Sequence, residues 1–330
     1  MSNSQTRLQP RRSPFDLRTA SPFIALAVLI ALGAFVHPKF LTFDNLVQNV
    51  ATRTSFIAII AIGGTFVMAA GGLDLSVGSM AAFVGGVMLL FLKSAGGEVG
   101  MATIALAMGL AIAVGAACGL ANGLVVTLGK IEPFIVTLGT MVILRSLFTY
   151  LANGGSISIS PAIKDLYGPV YTGTFLGVPV PLLAVLGVAM AGALLLYKTA
   201  FGRHVIAVGS NEHVASYSGI SVARVKLWTY VIQGTCVGLA ITLYVPRLGS
   251  ANSATGLYWE LQAITAIVVG GTLLRGGTGR IGGTVAGALF LEIIGNILTL
   301  SNVNVYLIGA VQGAIIIIAM LAQRSLLRRR

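Results

Sequence analysis

Apolar residues run along this chain in long uncharged stretches separated by short polar gaps. Ten stretches stand out, at roughly 21–36, 54–70, 77–92, 101–128, 133–152, 179–197, 227–246, 261–274, 281–300 and 304–323. A helix needs about 20 apolar residues to cross a bilayer, and shorter ones cross when helices pack together. The pattern therefore predicts an all-α polytopic membrane protein with about ten transmembrane helices. Two gaps are long. One, about 153–178, mixes Gly, Ser, Pro and aromatic residues; the other covers about 199–226. The rest are tight turns, with no room for a soluble domain. The first stretch also reads as a secretion signal, with Arg11 and Arg12 before it and Ala31-Leu32-Gly33 as a weak cleavage site. An uncleaved first span is preferred, because nine more already anchor the chain.

Composition strengthens this reading. Hydrophobic residues make up 56% of the 330 and charged residues 9%, against about 25% charged in a soluble domain. The 42 glycines are nearly double the usual share and suit closely packed membrane helices. Gly115, Gly119 and Gly123 repeat at four-residue spacing, as do the pairs Gly234 and Gly238, Gly283 and Gly287, and Gly309 and Gly313. Such small residues let helices approach closely, within one chain more often than between chains. Cys118 and Cys236 lie inside apolar stretches and read as packing residues.

The net charge of +12 suggests an anionic partner until its distribution is read. With the N-terminus inside and ten spans, 15 of the 21 Lys and Arg fall on the inner side, as the positive-inside rule requires. Both termini are thus expected in the cytoplasm. A basic tail 1–20 precedes a transmembrane domain 21–323, and a basic tail 324–330 follows it. The 199–226 segment then lies inside and the 153–178 segment outside.

Soluble catalytic chemistry is missing. The nearest approach to a phosphate-binding loop, Gly123 to Lys130, has one residue too many and Ile131 where Ser or Thr is required. His37, His204 and His213 are scattered, so neither a metal site nor any other cofactor site is expected. Gly277-Thr278-Gly279-Arg280-Ile281-Gly282 matches a dinucleotide fingerprint in letters only, lying between apolar stretches with no strand before it.

What remains is Gly71-Gly72-Leu73-Asp74-Leu75-Ser76-Val77-Gly78-Ser79, between the second and third stretches. Two glycines break the helix and Asp74 stands where the next one starts. Its carboxylate either caps that helix or forms a polar point on a permeation path or gate. This run resembles the GG-I/L-DLSVGS signature of permease subunits from bacterial ABC sugar importers of the ribose, xylose and galactofuranose type. Three further stretches agree. They are Pro133-Phe134-Ile135-Val136-Thr137-Leu138 with Arg145; Phe201-Gly202-Arg203 through Gly209-Ser210-Asn211-Glu212 to Ala215 and Gly219-Ile220; and Glu260 through Gly270-Gly271-Thr272 to Gly282-Gly283-Thr284. The match covers about residues 40–322. One departure is Gln262, where that family usually has an acid.

The resemblance implies the importer-permease fold and transport of a pentose or hexose by alternating access. It also implies a cytoplasmic ATPase partner that binds ATP and Mg, a periplasmic sugar-binding protein, and a second permease chain, identical or related. The 199–226 segment would dock into the ATPase through Gly209, Asn211, Glu212, Ala215 and Gly219. Read without the family, Asn211 to Ser218 is about two helical turns, Gly219 sits where a C-terminal helix glycine belongs, and Ser221 is placed to cap the next helix. The motif residues Gly71, Gly72, Asp74, Ser76 and Gly78 are candidates for a gate.

Few polar residues remain within the stretches: Asn122, Arg145, Gln233, Glu292, Asn296 and Gln312. Arg145 and Glu292 are opposite in charge; either they pair or Glu292 faces a wet cavity. Tyr258, Trp259 and Glu260 form either an interfacial belt or an outer mouth where rings stack on a sugar. Glycine pairs at 71–72 and 276–277 each follow a Gly-Gly-Thr, a faint internal echo. Two rivals stand beside sugar import: an ion-coupled secondary transporter, and a membrane scaffold or receptor.

Overall fold

A computed structural model describes residues 17–96, 99–304, 307–311, 313, 314 and 317. Helices dominate. The first is α1 (Leu17–Val36), whose first four residues fall within the expected basic tail. A π-helical turn, Asn45–Ala51, runs straight into α2 (Thr52–Ala69); then come α3 (Val77–Ser94), α4 (Met101–Leu128) and α5 (Pro133–Leu151). The long segment after α5 holds a strand β1 (Ser156–Ser158), short helices α6 (Pro161–Tyr167) and α7 (Pro169–Thr172), and a hairpin of β2 (Thr174–Phe175) and β3 (Val178–Pro179). The chain continues through α8 (Val180–Lys198), α9 (Ala200–Ser210), α10 (Glu212–Tyr217) and α11 (Val222–Leu248), then β4 (Ser250–Asn252), α12 (Trp259–Val269) and α13 (Ile281–Leu300).

Among the described residues, seven helices are long and apolar enough to cross a membrane: Asn45–Ala69, α3, α4, α5, α8, α11 and α13. This is a multi-pass membrane architecture. The part of α1 from Ser21 to Val36, and α12, are apolar but shorter. The tenth expected stretch, 304–323, and the C-terminal tail fall mostly outside the described residues.

The seven long helices form two populations. The best-buried are Asn45–Ala69, α3, α11 and α13, with 61–78% of each apolar window enclosed, whereas α4, α5 and α8 are 22–28% enclosed. The outer three present Leu106, Val142, Ile143, Leu186, Met190 and Leu194, the side chains a lipid-facing surface carries.

Glycine sets the closest approach. On α4, a Cβ at Gly115 would collide with the Gly234 carbonyl, and one at Gly119 with the Tyr230 carbonyl of α11. The four-residue spacing is thus an intramolecular seam, as expected. Gly283 likewise meets Gly270, and Gly287 meets Ala266. Cys118 and Cys236 are both free thiols.

At one end of the bundle β1 pairs antiparallel with β4, Ser156 opposite Asn252 and Ser158 opposite Ser250. The same end is covered by α6, whose fully buried Tyr167 donates to the Thr242 carbonyl at 2.7 Å. At the opposite end lie α9, α10, the C-terminus of α2 and the 270–280 loop.

Candidate functional site

The helix break is the first part of the site. α2 ends because Gly71, at φ +81°, turns the chain left-handed, so that its N–H donates to the Met68 carbonyl and that of Gly72 to the Val67 carbonyl, each at 2.9 Å. Residues 72–76 are then non-helical. Non-helical backbone at membrane depth survives only where protein partners satisfy it, and here they do. The Leu73 carbonyl accepts from the Tyr230 hydroxyl at 3.1 Å and from Thr137 Oγ1 at 3.4 Å. Asp74 Oδ1 accepts from the Ser76 N–H at 2.9 Å and from Ser76 Oγ at 2.6 Å, and Ser76 Oγ accepts from Asn122 Nδ2 at 2.9 Å. Asp74 therefore braces the residue before α3 with one oxygen. Its other oxygen, Oδ2, is buried without a partner, as are Asn122 Oδ1 and Gln233 Oε1.

The segment 249–258 approaches this break from the β1–β4 end. A Cβ at Gly256 (φ +71°) would collide with the Gly78 carbonyl, and one at Gly78 with the Gly256 carbonyl and Glu260 Oε2. Only glycine at both positions permits this backbone contact. Arg145 fixes the segment from α5, donating from one guanidinium nitrogen to the carbonyls of Ser253 and Thr255 at 2.7 Å each. Asp74, Gln233 and Glu260 line one small cavity with Gly64, Gly72 and Ile264. Its volume is about 10 Å³, room for a single water.

Arg145 and Glu292 do not pair. The carboxylate whose charge acts on Arg145 is Glu260, while the cations acting on Glu292 are Arg53 and Arg247. Tyr258 is exposed at φ +64°, but Trp259 packs its ring edge-on against Tyr244, centroids 5.0 Å apart. Tyr244 meets Phe56 at 5.3 Å and Phe56 stacks on Tyr171 at 6.0 Å. A row of four rings thus runs from α7 to the residue beside Glu260.

The second part is the α9–α10 corner. Thr199 caps α9, accepting from Gly202 N–H at 3.2 Å, and Asn211 caps α10, accepting from Val214 N–H at 3.0 Å. Gly219, at φ +80°, follows α10, where Ile220 N–H returns to the Ala215 carbonyl at 3.1 Å. Ser221 holds the N-terminal position of α11, but its hydroxyl makes no cap. Ala215 is buried and Glu212 pairs with Lys226 of α11. Val214 and Tyr217, which sequence reasoning passed over, stand exposed on the same short helix.

The two parts are joined by bare backbone. A Cβ at Gly209 would strike the Ala69 carbonyl and stand 2.7 Å from Gly277 N; one at Gly276 would stand 2.7 Å from the Gly209 carbonyl and 2.9 Å from Gly71 N. The Gly277 N–H donates to the Ala69 carbonyl at 3.0 Å. The glycine pairs 71–72 and 276–277 therefore converge on Gly209. This junction links α9 to the break beside Asp74 and to the loop between α12 and α13.

With this geometry in view, the relatives can be named. Residues 46–320 match the model of the family described as "Branched-chain amino acid transport system / permease component". The chain is 40% identical over 304 residues to the ribose import permease protein RbsC of Escherichia coli strain K12, covering 92% of each chain. It is 37% identical over 329 residues to RbsC of Bacillus subtilis strain 168, covering 98% of this chain and 99% of that one. To the galactose/methyl galactoside import permease protein MglC of Escherichia coli strain K12 it is 34% identical over 314 residues, covering 92% of this chain and 93% of the relative. Among solved structures, none matches. A bundle broken at two glycine pairs that meet under a short surface helix, matched over nearly its whole length by import permeases, belongs to this family of transport-system permease components.

Proposed function

We propose that this chain is the membrane-spanning subunit of an ATP-driven importer, passing a monosaccharide of the pentose or hexose class. A periplasmic binding protein would deliver the sugar at the β1–β4 end. Two cytoplasmic ATPase subunits would dock beneath α9 and α10 and hydrolyse ATP there, and a second permease chain, identical or related, would complete the pathway. Both termini lie in the cytoplasm and the bundle sits in the bacterial inner membrane. The sugar class is supported by relatives whose names are ribose, allose and galactose permeases, at 32–40% identity.

The observation that carries the mechanism is the convergence of Gly209, Ala69 and Gly276–Gly277. A push on α10 from below has no flexible side chain to absorb it before it reaches the end of α2 and the 270–280 loop. Bistable packed elements, not soft ones, transmit such displacements. α2 continues into the Asp74 segment, and Glu260 lies in the first turn of α12. Closure of the ATPase pair would thus alter both walls of the small cavity together.

The test is uptake of radiolabelled D-ribose, D-allose or D-galactose into proteoliposomes holding the whole transporter. Uptake that persists after ionophores collapse all ion gradients, and stops without ATP, is expected. Uptake abolished by ionophores and indifferent to ATP would establish the ion-coupled alternative instead.

A further inference from the structure

Phe175 and Leu176 stand at the tip of the β2–β3 hairpin, 65% and 89% exposed. Exposed apolar side chains scattered singly need no explanation. These two are adjacent, and the backbone beneath them is a poor fit for one of them. Leu176 and Gly177 make the two-residue turn, at φ +52° and +78°. Both positions of such a turn call for positive φ, which suits Asn-Gly or Gly-Gly and not a bulky side chain. A leucine held there, uncovered by the described residues, points to a contact outside the chain.

The position of the hairpin says what that contact is. β3 ends at Pro179 and α8 starts at Val180. α8 has 19 residues, a length of about 28 Å, close to the roughly 30 Å of a bilayer's hydrocarbon core. It is one of the three long helices that the bundle encloses least, and Leu186, Met190 and Leu194 are exposed along it. Its far end leads into α9, so its start and the hairpin lie at the β1–β4 end. A lipid-facing helix of one membrane thickness puts the residues just before it at the headgroup boundary. The chemistry agrees. From Leu166 to Tyr197 the chain carries no Asp, Glu, Lys, Arg or His. Charge steers the encounter with a soluble protein, whereas apolar side chains without charge bury themselves between headgroups and acyl chains.

We propose that the β2–β3 tip is a membrane-interface anchor, with Phe175 and Leu176 inserted into the lipid leaflet at the β1–β4 end. The anchor sets the depth at which α8 begins. It also ties to the bilayer surface the neighbouring α6 and α7, of which α6 is fixed to α11 by the Tyr167 hydroxyl on the Thr242 carbonyl. The inference needs the multi-pass architecture alone and stands apart from the import reading.

The experiment uses the whole chain in phosphatidylcholine vesicles, with Cys118→Ala and Cys236→Ala as background. Thr174→Cys, on the exposed first strand of the hairpin, carries a nitrobenzoxadiazole fluorophore, read on molecules whose β1–β4 end faces out. Lipid with a nitroxide near the carbonyl end of its acyl chains quenches the probe, and dithionite in the water reduces it slowly. Leu176→Asn separates an anchor from a plain turn. Asn suits the left-handed position, so a hairpin with only a structural role keeps its slow reduction. An anchor loses a buried leucine, and reduction by dithionite quickens about tenfold; adding Phe175→Ser quickens it further and removes the lipid quenching. Fast reduction without lipid quenching in the parent chain overturns the anchor. So does an unchanged rate in Leu176→Asn. A probe open to dithionite that becomes shielded only when a sugar-binding protein is added overturns the lipid assignment in favour of that protein.

Discussion

At the α9–α10 end, three segments of chain cross with no side chain between them: Ala69 to Gly72, Gly209, and Gly276–Gly277. At the opposite end, the 249–258 segment is held by a three-residue ribbon, one guanidinium and a single backbone contact of Gly256 with Gly78. The first fastening has no slack, since backbone atoms in contact can neither rotate away nor repack. The second has one such contact, Gly256 on Gly78; the rest of it is undone by swinging a single side chain and parting a short ladder. On the proposed import cycle, the rigid end receives the stroke and the releasable end opens to the sugar. Stiffness and looseness are thus distributed as the two tasks require.

The largest effect is expected at the rigid end. Gly209→Ala places a Cβ against the Ala69 carbonyl and Gly277 N, and neither is the far end of a flexible chain. Overpacking of this kind costs about 1–3 kcal/mol. Thermal unfolding of the purified chain is expected to shift accordingly, and uptake to fall while the ATPase subunits still bind nucleotide. An alanine variant with unaltered melting and uptake would show that the junction is not tight, and the contrast between the two ends would collapse.

A smaller and more local effect is expected at the loose end. Arg145→Ala removes two charge-assisted hydrogen bonds to the Ser253 and Thr255 carbonyls, worth about 2 kcal/mol in opening the segment. Amide exchange should quicken across 250–258 and stay unchanged across 205–212. Equal quickening at both places would mean the two ends are not separate units. Arg145→Lys, with a point charge in place of a planar fork, should lie between.

These two fastenings were unequally legible in the sequence. Spans 101–128 and 281–300 were readable to the residue, the first because glycine bounds an uncharged stretch on both sides, the second because Arg280 precedes it and Ser301-Asn302 follow it. The stretch 261–274 was read too long at its far end, since Gly270 and Gly271 end α12 without interrupting an uncharged pattern. The motif glycines and Asp74 were flagged by their helix-breaking pattern, and the structure sets Asp74 beside Glu260, which sequence separated by 186 positions. The convergence on Gly209 could not be read, because a glycine's use depends on which backbone passes it. Nor could the partners of Arg145: they are carbonyls, which every residue carries, so charge complementarity pointed instead to Glu292. Gln233 looked like any isolated polar residue in a span until its oxygen proved unpartnered.

The smallest effect concerns what α10 shows to its surroundings, and it tests whether the rigid end is a receiver at all. Glu212 pairs with Lys226 but remains half-exposed. Such a pair contributes about 0.5 kcal/mol or less to stability, so Glu212→Gln and Lys226→Gln should barely move the melting temperature. If the pair only anchors α10 to α11, both changes should affect uptake equally and slightly. If α10 is a docking surface, Glu212 has a second task that Lys226, largely covered by the bundle, does not share. Val214 and Tyr217 stand exposed on the same helix, and an apolar pair beside a carboxylate is a surface that a partner can cover. Glu212→Lys is therefore expected to reduce ATP-driven uptake while Lys226→Gln leaves it near normal. Equal and negligible effects would leave α10 as a brace for α11 and shift the point of ATPase contact to the 270–280 loop, on the other side of Gly209.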